Sequence, residues 1–204
     1  MDRENLIADA TLAQFRDQIL SGNSITGAVA VSSVCSALAV TVLQMTLEIA
    51  GRKVPTEHLK ALIESASQAS SRLLAFADSD RAAYTAYRDA HKLPPGEERR
   101  EIERSALRRA IETPLAAARE AASVIPLCQE AARLAHGAII ADVGGAALLL
   151  SSATRAILLS VEANLRALND PGLSQTVGAE CRDIREQAQQ GAEQVLLTLG
   201  VSSR

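Results

Sequence analysis

Nearly half of this chain is hydrophobic, yet its only aromatic side chains are Phe15, Phe76, Tyr84 and Tyr87. Rings therefore cannot fill the interior, and Ala, Leu, Val and Ile must. Alanine buries little surface by itself, but small side chains let helix axes approach closely, so tight helix-on-helix packing is the natural outcome. The patterning agrees. No run alternates apolar and polar residues as a strand would, and no Asn-Gly or Asp-Gly hairpin signal occurs. Apolar residues recur at helical spacing throughout.

The 204 residues suit one all-α domain, an antiparallel bundle of six to eight helices. The first helix takes its apolar face from Leu6, Leu12, Phe15, Ile19 and Leu20. "SGNS" (21–24) supplies a break with capping residues, and a second helix follows over about 25–50. A third covers about 56–91, and "KLPPGEER" (92–99) stops it. A charged helix is expected over 97–111. Pro114 fits the first turn of another, which runs to about 136 with a kink at Pro126. One more reaches about 168, "NDPG" (169–172) turns the chain, and a last helix over 174–199 ends at Gly200.

The net charge is −3, with Arg and Glu scattered. No basic stripe carries interleaved aromatics, which argues against nucleic-acid binding. Cys35, Cys128 and Cys181 are odd in number, far apart and outside any metal-ligand spacing, so they read as reduced thiols of a cytoplasmic protein that holds no metal. The acidic, amphipathic start "MDRENLIADATLAQF" is not a signal peptide. Two apolar runs, 25–47 and 137–154, approach membrane length. The first is rich in Ala, Ser and Thr and the second holds an acid and two glycines, so both read as central bundle helices and not as membrane spans.

Three stretches could carry chemistry. In "FADSDRAAYTAYRDAH" (76–91), Asp80, Tyr84, Tyr87 and His91 fall on one helical stripe. A carboxylate, two phenols and an imidazole there could bind a polar heterocycle or move protons, or could simply form the wet edge of an amphipathic helix. Ser160 and Asn164 lie one turn apart in an apolar helix, with Glu162 facing elsewhere. "HGAIIADVGGAALLL" (136–150) sets Asp142 as the one formal charge of an apolar run. Asp142 either caps a helix starting near Gly144 or is a buried carboxylate facing a cleft. Gly27, just before the small-residue helix "AVAVSSVCSALAV" (28–40), offers a weak anion-site signal.

In order and with similar gaps, these pieces resemble the cyclodeaminase/cyclohydrolase family, which includes the C-terminal domain of formiminotransferase-cyclodeaminase and stand-alone methenyltetrahydrofolate cyclohydrolases. The Gly-rich loop and small-residue helix match "SITGAVA" and "VSSVCSALAVTVLQM". The Asp-x-x-Ala-Phe and Leu-Pro motifs match "DRAAY" (80–84) and Leu93-Pro94. The Pro-Leu helix matches "TPLAAAREAASVI", and the Gly-Asn-x-Asn-x-x-Ser-Asp-x-Gly-x-Ala motif matches "AHGAIIADVGGA" (135–146). Leu-Asn-Val-x-x-Asn matches "LSVEAN" (159–164). The resemblance implies an all-helical bundle, usually a homodimer, that acts on a tetrahydrofolate derivative without metal. The implied reaction is hydrolytic opening of 5,10-methenyltetrahydrofolate to 10-formyltetrahydrofolate. Its alternatives are formiminotetrahydrofolate cyclodeamination, or a diverged non-catalytic binding or scaffold member. Hydrolysis is the leading expectation because the chain reads as one domain with no formiminotransferase attached.

The resemblance also implies the site. Asp80 and Asp142 are the catalytic acids, and Gly27, Tyr84, His136, Ser160 and Asn164 bind substrate. Several positions depart from the family pattern. The triple glycine is Gly27-Ala28-Val29, and the bulk of Val29 is expected to hinder close backbone approach. His136, Ala138 and Ala141 stand where Asn, Asn and Ser are usual, and Ser160 replaces Asn.

Overall fold

The computed structural model describes residues 6–21, 26–52 and 55–201. Among them are seven α-helices and no strand: α1 (Leu12–Leu20), α2 (Ala28–Gly51), α3 (Glu57–Ala90), α4 (Glu97–Ser123), α5 (Ile125–Leu134), α6 (Ile139–Leu168) and α7 (Pro171–Thr198). A 3-10 turn over Ile7–Asp9 precedes α1. The capping residues expected at 22–24 lie outside the described residues.

Local signals set the helix ends. Thr11 and Gln14 form a reciprocal capping box on α1. Thr56 Oγ1 accepts the Leu59 amide at 3.1 Å to start α3. The "NDPG" turn serves two helices. Asn169 closes α6 in the left-handed region (φ 53°), and Asp170 caps α7 with Pro171 in its first turn. At the end of α7, Gly200 (φ 70°) lets its own amide reach Leu197 O and the Val201 amide reach Leu196 O, a Schellman pair.

The interior is the one the composition requires. α2 packs on α3 and α6, and α6 also packs on α4 and α7. Leu43, Leu47, Leu73, Ile111, Leu150, Ile157 and Leu158 are fully buried. Each contributes roughly 1.5–3 kcal/mol of apolar burial. Ala39, Ala117, Ala118, Ala121, Ala147 and Ala188 are also sealed, and they keep the axes close. The approach of α7 to α5 is closer still, since a methyl at Gly191 would sit 2.5 Å from Ile125 Cγ2. α2 and α6 are the two helices long and apolar enough to cross a bilayer, and about half of each apolar window (50% and 56%) is buried inside the bundle.

Three expectations about elements fail, each for a physical reason. α4 is one continuous helix, with Pro114 in its interior and not at a helix start. A proline there costs an isolated helix about 3 kcal/mol, because it removes an N–H and crowds the carbonyl four residues back. Burial of Ile111, Leu115, Ala117 and Ala118 on either side carries the helix through. The break falls instead at Val124, and Pro126 sits in the first turn of α5. The apolar face of α1 is also not a core face. Phe15 is buried beside Ile7, Ala30 and Ala77, whereas Leu12 and Leu20 are 78% and 74% exposed. Finally, Asp142 is no cap. α6 already begins at Ile139, just after Gly137 (φ 60°), which leaves Asp142 within the first turn.

Candidate functional site

Four helices meet around a cavity of about 320 Å³. That lies at the lower end of small-molecule sites, roughly 300–1,000 Å³. The start of α2 supplies one wall through Thr26, Gly27, Ala28 and Val29. α3 supplies Asp80 and Tyr84, α4 supplies Ala110, and α6 supplies Ser160, Ala163 and Asn164. The cavity thus brings together Gly27, Asp80, Tyr84, Ser160 and Asn164, residues 137 positions apart at their extremes and each singled out in the sequence.

Asp80 is the chemical centre of this cavity. It is largely buried and has no hydrogen-bond or ion-pair partner among the described residues. Burial alone pushes its carboxyl up from 3.8 to about 6. Asp78, two residues earlier on the same helix, shows the opposite solution. It faces away from the cavity, accepts the Ile7 amide with both oxygens at 3.0 and 3.2 Å, and takes Arg81 Nη2 at 2.8 Å. It fastens the chain before α1 to α3. A larger cavity, about 580 Å³, opens on that side, but its acid is engaged by the Ile7 amide and Arg81, and Leu6, Leu74, Ala75 and Ala83 line it together with Ser71, Arg109 and Thr113. Asp80 is the acid left free to react.

The other walls add polarity of fixed sense. Gly27 is the N-cap of α2 with no side-chain cap, so the first-turn amides of α2 have no intrahelical acceptor, and that helix start forms part of the cavity wall. Val29 is 5% exposed and packs into the main core while also contributing to the cavity wall. Tyr84 is 49% exposed and stands at the rim. Asn164 donates from Nδ2 to Ala110 O at 2.7 Å, which fixes the plane of its amide. Glu162, between Ser160 and Asn164, faces α7 and pairs with Arg185.

The remaining residues singled out in the sequence lie elsewhere. Tyr87 and His91 continue the stripe beyond the cavity, with Tyr87 6.5 Å from Tyr84 and 4.6 Å from His91 between ring centroids. His91 Nδ1 lies 3.4 Å from Glu103 on α4. His136 is exposed before α6, its Nδ1 3.1 Å from Leu134 O. Asp142 is partly exposed in the first turn of α6. Eighteen residues separate Asp142 from Ser160, about 27 Å along one helix. Neither His136 nor Asp142 lines the cavity of its own chain.

Thr26, Ala110 and Ala163 line the cavity without having been singled out. None of the three carries a side chain that would mark it in the sequence, although Pro114 lies four residues after Ala110. The buried thiols have no part in the site. Burial pushes Cys128 up to about 12 and Cys181 to about 11. Among the described residues, no three His, Cys, Asp or Glu side chains converge as a metal site.

Comparison with known proteins places this architecture. Residues 11–183 match the family model described as formiminotransferase-cyclodeaminase. Formimidoyltransferase-cyclodeaminase of Sus scrofa is 29% identical over a 203-position alignment that covers 95% of this chain. The chain spans 37% of that protein's length. The crystal structure of formiminotetrahydrofolate cyclodeaminase from Thermotoga maritima shares the fold with a TM-score of 0.86 at 20% identity, covering 95% of this chain and 98% of that one. With a match across most of its length and the same helical bundle, the chain belongs to the formiminotransferase-cyclodeaminase family.

Proposed function

We propose that the chain is an enzyme of folate one-carbon metabolism that opens the ring of 5,10-methenyltetrahydrofolate with water, giving 10-formyltetrahydrofolate. The observation that carries this is the unpartnered, burial-shifted carboxyl of Asp80 in a cavity rimmed by Tyr84, Ser160 and Asn164. The methenyl carbon is already electrophilic, so the protein has to position the heterocycle, hold a water and move a proton. Ionised Asp80 takes a proton as the water oxygen bonds to that carbon. The carbon–nitrogen bond to N5 then breaks, and N5 takes up a proton that Asp80 can return. One proton is released overall. A group with a pKa near 6 suits both halves of that transfer at neutral pH.

Cyclodeamination is the second reading, favoured by the activities named for the pig and Thermotoga maritima relatives. There the same carboxyl, in its acid form, would protonate departing ammonia. Supplying the chain with the methenyl and the formimino substrate in turn separates the two. Turnover of the first alone supports hydrolysis, and turnover of the second alone supports cyclodeamination. No turnover of either by folded protein leaves a binding or scaffold role.

A homodimer belongs to this reading, and it gives Asp142 and His136 a place. Leu38 and Met45 on α2 and Leu148, Leu149 and Leu159 on α6 are exposed apolar residues on two adjacent helices. An antiparallel two-fold pairing of α6 with a second α6 would set the Asp142 end of one copy beside the Ser160 end of the other. Mixing Asp80→Asn and Asp142→Asn chains tests it. Neither variant turns over alone, while random pairing restores about a quarter of wild-type sites if each site draws one acid from each copy. No restoration places both acids' roles within one chain.

A further inference from the structure

Pro114 stands in the middle of α4, where a proline weakens a helix, and the structure gives it a task. The amide missing at position 114 is the one that would have bonded Ala110 O. That carbonyl therefore lacks its ordinary donor four residues on, and it belongs to a residue lining the Asp80 cavity. Asn164 Nδ2 fills the vacancy at 2.7 Å from α6. Because the acceptor is a carbonyl, only the NH2 end of the asparagine can face it. Oδ1 is thereby left as the end free to serve the cavity, and it has no hydrogen-bond partner among the described residues. A proline and an asparagine 50 positions apart thus fix the sense of one amide.

We infer that Pro114 is a positioning residue of the cavity: by withholding a backbone N–H it locks Asn164 with its carbonyl oxygen toward the ligand, so the site reads an N–H donor there. This rests on the cavity being the folate site, and the experiment below tests the two separately. With an ordinary residue at 114, the helix would satisfy Ala110 O itself, and the Asn164 amide would be free to rotate and present either end.

Three variants, Pro114→Ala, Asn164→Asp and both together, are compared in the full chain by two readouts. The first needs no ligand. The side-chain NH2 of Asn164, assigned by its loss in Asn164→Asp, should show a hydrogen-bonded, slowly exchanging proton in wild type and lose that protection in Pro114→Ala. The second is kinetic, with 5,10-methenyltetrahydrofolate. Pro114→Ala should raise KM at least tenfold while Tm stays level or rises, since the helix has been repaired. A merely structural proline would lower Tm and leave KM alone. Asn164→Asp should be damaging in the native background, where an acceptor would face an acceptor, and add little in the Pro114→Ala background. An unchanged Asn164 amide signal in Pro114→Ala, or equal effects of Asn164→Asp in both backgrounds, overturns the inference. If Pro114→Ala does not fold, Asn164→Leu decides: loss of the donor should lower Tm by orphaning Ala110 O, and an unchanged Tm overturns the inference. If wild type neither binds nor turns over the folate while the amide readout behaves as expected, the functional reading fails and the positioning of Asn164 by Pro114 stands.

Discussion

Asp80 and Asp142 are the same residue type, Asp80 between Ser79 and Arg81 and Asp142 inside an apolar run, and the fold treats them in opposite ways. Asp80 lies in the middle of α3, where every backbone amide is already used, and it enters a cavity with no partner. Asp142 lies in the first turn of α6, beside amides that still lack acceptors and within reach of water. A carboxylate at a helix start is at ease electrostatically, whereas one in a helix middle facing a cavity is not. An apolar neighbourhood in sequence therefore does not measure how hard a charge is pressed. Position along the helix and the face it occupies do.

The sharpest break of this comparison is chemical. Asp80→Asn should lower kcat for methenyl hydrolysis by about 10²–10⁴, the usual worth of a positioned general base. A loss below tenfold would remove Asp80 from the mechanism. The wild-type rate should also climb as pH rises through about 6 and then level, because the base acts in its ionised form. A profile flat from pH 5 to 8 would count against it.

The next test is thermodynamic. The pKa of Asp80 is raised on folding, from 3.8 to about 6, so the folded state holds this proton more tightly than the unfolded state. Its contribution is fully present below the unfolded value and is lost as pH rises through about 6. At most about 3 kcal/mol is involved at two pK units. Asp80→Asn should therefore gain stability over wild type between pH 4 and 8, read as a difference in denaturation midpoints.

Smaller effects probe the two ends of the scaffold. Gly191→Ala should cost about 1–3 kcal/mol, because its methyl meets Ile125 Cγ2 at 2.5 Å. Gly145→Ala, near Asp142, meets nothing within 4 Å. It should add up to about 1 kcal/mol through helix propensity. Thermal melts check both. An unchanged kcat is expected for Gly145→Ala, and a fall would bring the ligand up against that turn.

Much of this was legible in the sequence because it rests on local rules. Thr56 and Gly200 bound their helices where their chemistry says they should, and scarce rings with abundant alanine require close helices. The errors have the same origin. Pro114 reads as a helix start because the cost of an interior proline is visible in sequence, while the burial of Ile111 and Leu115 that offsets it is not. Leu12 and Leu20 read as core because periodicity marks a face without saying what covers it. Within the site, Asp80, Tyr84, Ser160 and Asn164 announce themselves by spacing or by family motif. Ala110 contributes only a carbonyl, which no side chain advertises. Asp142 and His136 belong to the same motif as one another, yet α6 sets Asp142 about 27 Å from Ser160 along its axis, and His136 lies before that helix begins.

The chain contains no tryptophan and only two tyrosines: Tyr84 stands at the rim of the Asp80 cavity, and Tyr87 lies 6.5 Å from it on the same stripe of α3. Its near-ultraviolet emission is thus a built-in local probe. Quenching or anisotropy of Tyr84 and Tyr87 reports what enters that cavity without any label, against a background that the rest of the bundle leaves dark.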